Sequence, residues 1–296
     1  MRKWISAGGA IALMATCAVA QRGQRLPGNE AQSIRATTRA TEYAYGSDDL
    51  QKLDFWKAKM ANAPLVIFVH GGGWKRGDKG NATGGSKAPH YLEQGYAFAS
   101  INYRLVPKST VEQQATDVAN AVAYLRNNAQ RLGLDPNRIV LMGHSAGAHL
   151  SALVGTDPRY LRAAGLDLSV LSGVIPLDGA AYDVPTQMTD GPRIMQKTYA
   201  QAFGSEPERQ RALSPYWQAA APNAPAFLIL HVDRDDGARQ SAALAHALRK
   251  NGARVQINAF AGKGLKGHME INRKLGDSSY PATPVVDIWL RSIFGS

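Results

Sequence analysis

The chain has 296 residues, 45% of them hydrophobic and 19% charged, a formal net charge of +11 and one cysteine, Cys17. A chain of this length supports one large core burying roughly 75% of the surface its unfolded form exposes, without disulfide or metal staples. The basic surplus is scattered and forms no long Lys/Arg run, which argues against specific nucleic-acid binding and favours anionic envelope or polysaccharide surfaces.

In chain order, "MRKWISAGGAIALMATCAVA" (1–20) comes first. A basic start at Arg2 and Lys3, a short apolar run and Ala18-Val19-Ala20 are the layout of an export signal, with cleavage expected after Ala20. The run is short for a membrane span and is interrupted by Gly8 and Gly9, so no stable span is expected after cleavage. Cys17 would leave with the signal, so the exported (periplasmic or secreted) chain is expected to have no disulfide and no cysteine metal site. Residues 21–42 are polar and read as a flexible leader. The folded domain is expected over 43–296.

Six apolar runs read as strands: "PLVIFVHGGG" (64–73), "YAFASINYRL" (96–105), "RIVLMGHS" (138–145), "GVIPLDG" (173–179), "AFLILHVD" (226–233) and "VQINAFAG" (255–262). They are nearly continuous rather than alternating, as expected when helices cover both faces of a sheet. Helical spacing separates them. In residues 111–133, Val111, Ala115, Val118, Val122 and Leu125 share one face, and Gly133 with Asp135-Pro136 supplies the stop. Residues 238–252 and 284–294 read the same way. The alternation predicts an α/β fold with a mainly parallel sheet and helices on both faces. Residues 180–222 stand outside it and are expected to form a small cap.

The chemistry centres on "VLMGHSAGAHL" (140–150). With 29 glycines in the chain, Gly-x-Ser-x-Gly arises by chance in roughly one such chain in six, so context must decide. Here an apolar strand precedes Ser145 and a small-residue helix follows. In such an elbow the serine is strained outward as a nucleophile, and Gly143 and Gly147 let strand and helix approach. "HGGGW" (70–74) follows the first strongly apolar strand. Its backbone N–H groups suit an oxyanion, and Gly72, Gly73 and Ala146 are the expected donors. His70 is expected to orient that loop rather than act as the base.

Seven histidines compete for the role of general base. His144 and His149 flank the elbow, His90 and His246 sit in helix-like segments, and His231 ends a strand. His268, in "GKGLKGHMEIN", lies in what reads as a glycine-rich loop after the last strand, from which an imidazole can reach Ser145. The acid that fixes its tautomer is sought in "ILHVDRDDGARQS". Asp233 is favoured because it sits directly off a strand end, where a side chain is held rigidly. Asp235 and Asp236 are alternatives, the latter with an N-cap role near Ala238. Asp178 and Asp183, after the preceding strand, also remain open.

With His70-Gly-Gly-Gly-Trp74, Gly143-His-Ser-Ala-Gly147, the Asp-rich turn and Gly267-His268-Met-Glu270 in this order, residues 43–294 resemble an α/β-hydrolase esterase. The likeness is to the carboxylesterase branch that includes hormone-sensitive-lipase-like esterases and kynurenine formamidases. In the formamidase-like members an acid precedes a Gln-Ser pair by seven residues. Counting back from Gln240-Ser241 gives Asp233, although His231-Val232 departs from the usual His-Gly opening of that turn. The resemblance implies a Ser145–His268–Asp233 triad cleaving a small-molecule or polysaccharide-linked carboxylic ester, with neither cofactor nor metal. An amidase or arylformamidase on the same scaffold is the alternative, and a non-catalytic binding protein would require a broken triad that the sequence does not display.

Overall fold

The computed structural model describes residues 39–80, 85–220 and 222–295. The expected export signal and all but the end of the expected leader lie outside the described residues. Eight strands make one sheet: β1 Thr41–Ala44, β2 Lys52–Trp56, β3 Ala63–Val69, β4 Ala97–Ile101, β5 Leu134–His144, β6 Leu171–Leu177, β7 Ala226–Asp233 and β8 Arg254–Lys263. Their order is β1-β2-β4-β3-β5-β6-β7-β8. Strands β3 to β8 run parallel, and β1 and β2 add an antiparallel edge. Thr41 and Glu42, read from sequence as leader, are the first residues of β1. That edge escaped the sequence reading because its strands are short and half-polar.

Helices α1 Lys87–Glu93, α2 Val111–Asn127, α3 Ala129–Leu132, α4 Ala146–Thr156 and α5 Pro158–Ala163 connect the first strands. Next come α6 Val184–Asp190, α7 Gln196–Phe203, α8 Pro207–Ala212 and α9 Pro215–Gln218, followed by α10 Asp235–Lys250, α11 Gly264–Lys274 and α12 Ala282–Phe294. The apolar runs are continuous because each strand feeds two cores. Leu65, Ile67 and Val69 of β3 pack with α2 and α4 on one face, while Val66 and Phe68 pack with α1 and α12 on the other. β7 divides likewise, Phe227 and Ile229 against Leu228, Leu230 and Val232. A period of two combined with two buried faces leaves β3 without a polar position, whereas the edge strand β8, half-exposed, carries Gln256 and Asn258.

Local chemistry sets the helix ends. Thr110 caps α2 in a capping box: its hydroxyl accepts from Gln113 N and the Gln113 side chain accepts from Thr110 N. The segment around His268, read as a loop, is the helix α11. Glycine's low propensity misled the reading. A Cβ on Gly267 would lie 2.4 Å from the Gly262 backbone, so this glycine permits the helix to close against the end of β8. α10 starts at Asp235, three residues before the expected start, so Arg234, not Asp236, occupies the N-cap position.

Candidate active site

Parallel strands bring their C-terminal ends to one edge, and connections leaving that edge build the site. Ser145 follows β5 with φ 57° and ψ −118°, a conformation disfavoured for a residue with a Cβ. It is half-buried, whereas His144 and Ala146 on either side are buried. The flanking glycines have measurable reasons. A Cβ on Gly143 would lie 2.1 Å from Gly147 O, and one on Gly147 would lie 2.1 Å from Val69 O. Ser145 N–H donates to Leu177 O at 3.1 Å, tying the elbow to the end of β6.

The glycine-rich loop 70–74 lies alongside. A Cβ on Gly71 would sit 2.9 Å from Ser145 Cβ and 3.1 Å from His144 Nδ1. Gly72 and Gly73 take φ of 123° and 62°, and a Cβ on Gly72 would strike Arg76 O at 2.0 Å. Ala146 is the first residue of α4, where helix geometry leaves the N–H without a partner inside the helix. His70 supports the loop from below: its Nδ1–H donates to Gly71 O at 2.7 Å, its ring stacks on Tyr103, and its carbonyl accepts from the Tyr103 hydroxyl. Burial lowers the His70 imidazole below its ordinary range. Trp74 anchors the far end, with Nε1–H donating to His149 Nδ1 at 3.2 Å while His149 Nε2–H donates to Leu213 O. Burial pushes His149 down to about 4, which keeps this bridge neutral.

His268 is 8% exposed and sits on α11, its ring centroid 4.4 Å from that of His144. His144 Nε2–H donates to the His268 carbonyl at 2.9 Å. Burial and the neighbouring His268 hold His144 well below the ordinary imidazole range, so it acts as a neutral prop.

The carboxylate facing His268 is Asp178. His268 Nδ1 lies 2.6 Å from Asp178 Oδ2, and Val232 N–H donates to Asp178 Oδ1 at 3.0 Å. Asp178 is fully buried, with a backbone φ of 44°, and its N–H donates to Leu230 O. Burial pushes its carboxyl up. The His268 hydrogen bond, the charge of Arg234 and the Val232 N–H outweigh that and hold it below the usual carboxylate range.

Asp233, favoured from sequence, is exposed at the end of β7, and Asp235 is exposed too. Among the described contacts neither carboxylate reaches His268. Asp236 accepts from Gln187 Nε2 and Arg234 Nη2, and Asp183 accepts from Trp217 Nε1 and Thr186 Oγ1. Gln240, used to count back to Asp233, instead clasps the backbone N and O of Asp183. The physical reason is how each carboxylate leaves its strand. With φ 44°, an N–H donating to Leu230 O and an Oδ1 accepting from Val232 N, Asp178 is turned inward across the end of β7, whereas Asp233 ends β7 exposed. The signal in the sequence was the acid at the end of "GVIPLDG", directly off a continuous apolar strand. The exit of β7 places Arg234 at the site instead, its Nη1 2.9 Å from His268 Nδ1 and 3.4 Å from Asp178 Oδ2.

Helices α6 to α9 fill the connection between β6 and β7, where the sequence suggested a cap. Met195, just before α7, and Thr198 within it lie over the glycine loop: a Cβ on Gly73 would be 3.8 Å from Met195 Cε and 3.0 Å from Thr198 Cγ2. Trp74 packs edge-on against Phe203, with ring centroids 4.7 Å apart.

A family model described as BD-FAE matches residues 53–248. The chain is 35% identical over 204 residues to esterase LipC of Mycobacterium tuberculosis, covering 64% of this chain and 50% of that protein. It is 36% identical over 110 residues to the isoprenylcysteine alpha-carbonyl methylesterase ICME of Arabidopsis thaliana, covering 36% and 25% respectively. The chain thus matches half or less of the length of these two relatives. A truncated carbohydrate esterase from gut microbiota superposes with a TM-score of 0.71 at 22% identity, covering 88% of this chain and 98% of that one. Esterase B from Lactobacillus rhamnosis gives 0.69 at 21%, covering 90% of each. At these identities the structural likeness is one of fold, the α/β-hydrolase fold.

Proposed function

The chain belongs to the BD-FAE family, and from that premise we propose that it is a carboxylic ester hydrolase acting through Ser145, His268 and Asp178. The observation that carries this reading is the 2.6 Å contact between His268 Nδ1 and the buried Asp178 carboxylate, beside a serine strained at the tip of an elbow. Asp178 accepts a hydrogen bond from Nδ1–H, which fixes the tautomer that leaves Nε2 as the basic nitrogen. His268 Nε2 removes the Ser145 hydroxyl proton as Oγ attacks the ester carbonyl. The N–H groups of Gly72, Gly73 and Ala146 hold the tetrahedral oxyanion, each such donor contributing about 3 kcal/mol at the transition state. The C–O bond to the alcohol then breaks, the alcohol leaves with the proton from Nε2, and water repeats the sequence to free the acid and regenerate Ser145.

The esterase names of the sequence relatives support the reaction class. The residues 1–20 pattern supports an exported enzyme, tested by N-terminal sequencing of the mature protein. The decisive experiment is Ser145→Ala. It is expected to abolish p-nitrophenyl acetate turnover and labelling by a fluorophosphonate probe while leaving the urea unfolding midpoint within about 0.3 M. Full activity in this variant would overturn the mechanism. A panel of acetyl, longer acyl, aryl and feruloyl esters, with matched amides, defines the substrate.

A further inference from the structure

An arginine stands where sequence alone places the triad acid. Arg234 leaves β7 with extended backbone (φ −133°, ψ 126°) and turns its guanidinium inward, leaving 16% of the side chain exposed. Nη1 lies 2.9 Å from His268 Nδ1 and 3.4 Å from Asp178 Oδ2. Nη2 lies 3.4 Å from Asp236 Oδ2, and Asp236 is held in turn by Gln187 Nε2 at 3.1 Å. Gly237 makes room, since a Cβ there would sit 3.1 Å from Arg234 Nη2.

His268 Nδ1 carries one proton or none, and guanidinium can only donate. Two arrangements therefore compete at this nitrogen. In one, Nδ1–H donates to Asp178 and Arg234 serves the carboxylates, so Nε2 is free to take a proton from Ser145. In the other, Arg234 donates to Nδ1 and the imidazole proton sits on Nε2, where it blocks the base. Asp178, closer at 2.6 Å and negatively charged, favours the first. Once the imidazole is doubly protonated, a fixed cation faces it across the 2.9 Å contact.

Building on the triad reading, we propose that Arg234 is a positioning residue: it keeps Asp178 ionised inside the protein and opposes protonation of His268, extending esterase activity to lower pH. The other titratable groups around the pair and Arg234 are His144 at the end of β5, which also faces Lys87 on α1, Tyr182 beyond Asp178, Tyr280 before α12, and Tyr199 on α7 beside Arg234 and Asp236. Lys266 and Glu270 lie on His268's own helix, and Asp236 shares Arg234. None of these changes in the variants below except Asp236, which is altered by design.

The test is kcat/KM for p-nitrophenyl acetate across pH in the full-length protein. Arg234→Gln is expected to move the acidic limb up by about one pH unit, since a nearby charge typically shifts an ionisation by one to three units. Arg234→Lys should return the limb most of the way. Asp236→Asn leaves the Arg234 charge wholly on the Asp178–His268 pair and should move the limb down, a sign that stands even if Arg234→Gln fails to fold. A limb unmoved in Arg234→Gln, or an equal loss at every pH, would overturn the proposal, as would an upward shift in Asp236→Asn. Fluorophosphonate labelling of the wild type separates the two readings. Labelling with an unmoved limb rejects the role of Arg234 alone, and a wild type that is neither labelled nor active rejects the triad.

Discussion

Replacing Asp178 by Asn perturbs the proposed triad at a single atom. Val232 N–H donates to Asp178 Oδ1, so the amide oxygen of an asparagine stays there and its NH2 group takes the place of Oδ2. That NH2 then faces His268 Nδ1, with Arg234 Nη1 already 2.9 Å from the same nitrogen. Two donors converge on Nδ1 and force the imidazole proton onto Nε2, the wrong tautomer for a base. The imidazolium formed during attack also loses its carboxylate. A pair of unit charges about 4 Å apart at an effective dielectric of 20 is worth about 4 kcal/mol. Together these effects predict a loss of about a thousand- to ten-thousand-fold in kcat, or 4 to 5.5 kcal/mol, in line with amide substitution of a triad acid elsewhere. The assay is p-nitrophenyl acetate hydrolysis by Asp178→Asn and Asp233→Asn, with urea unfolding of both. Asp233→Asn should stay within about threefold of wild type, as expected for a change at an exposed carboxylate. Asp178→Asn within tenfold of wild type, or an equal collapse in Asp233→Asn, would refute the reasoning.

Gly147→Ala places a methyl group 2.1 Å from Val69 O, which belongs to the strand backbone and cannot swing aside. The variant should lose 3 kcal/mol or more, read as a lowered urea midpoint or insoluble protein, and an unchanged midpoint would contradict the close approach of α4 to β3. Lys87 is fully buried on α1, its Nζ donating to Asn272 O and lying over the Phe68 ring, and burial pushes its amine down to about 7. Between about pH 7 and 10.5 the unfolded chain binds a proton there that the folded chain does not, so this group makes stability rise with pH across that window. Below pH 7 both states are charged and the burial penalty is fully present. Lys87→Met should therefore gain stability relative to wild type at pH 6, and the advantage should shrink by about 3 kcal/mol by pH 9.5 in urea titrations.

The strained turn at Ser145 could be read from residues 140–150 because a strand-serine-helix elbow is a local device. Strand, serine and helix are consecutive, and both glycines report contacts made within a few residues or with the neighbouring strand. The glycine loop beside it was legible for the same reason, as Gly71, Gly72 and Gly73 follow the end of β3 closely in the chain. His268 was found by its place after the last strand, although its setting was misread, because Gly267 serves a close approach to Gly262 that no local pattern reveals.

What sequence by itself determined was the α/β class, the two-faced strands, the serine elbow and the glycine loop beside it, each encoded by periodicity or by glycines adjacent in the chain. The tertiary structure alone decided which carboxylate stands behind His268. Asp178, Asp233, Asp235 and Asp236 all lie near strand ends, and residue type cannot rank them. Asp178 and His268 are 90 residues apart, and they meet across the end of β7, the strand between β6 and β8, where Leu230 O and Val232 N hold Asp178. The same packing put the Arg234 cation where the sequence suggested an anion. Chain distance carries no information about either contact, since a parallel sheet brings the ends of distant strands to one edge.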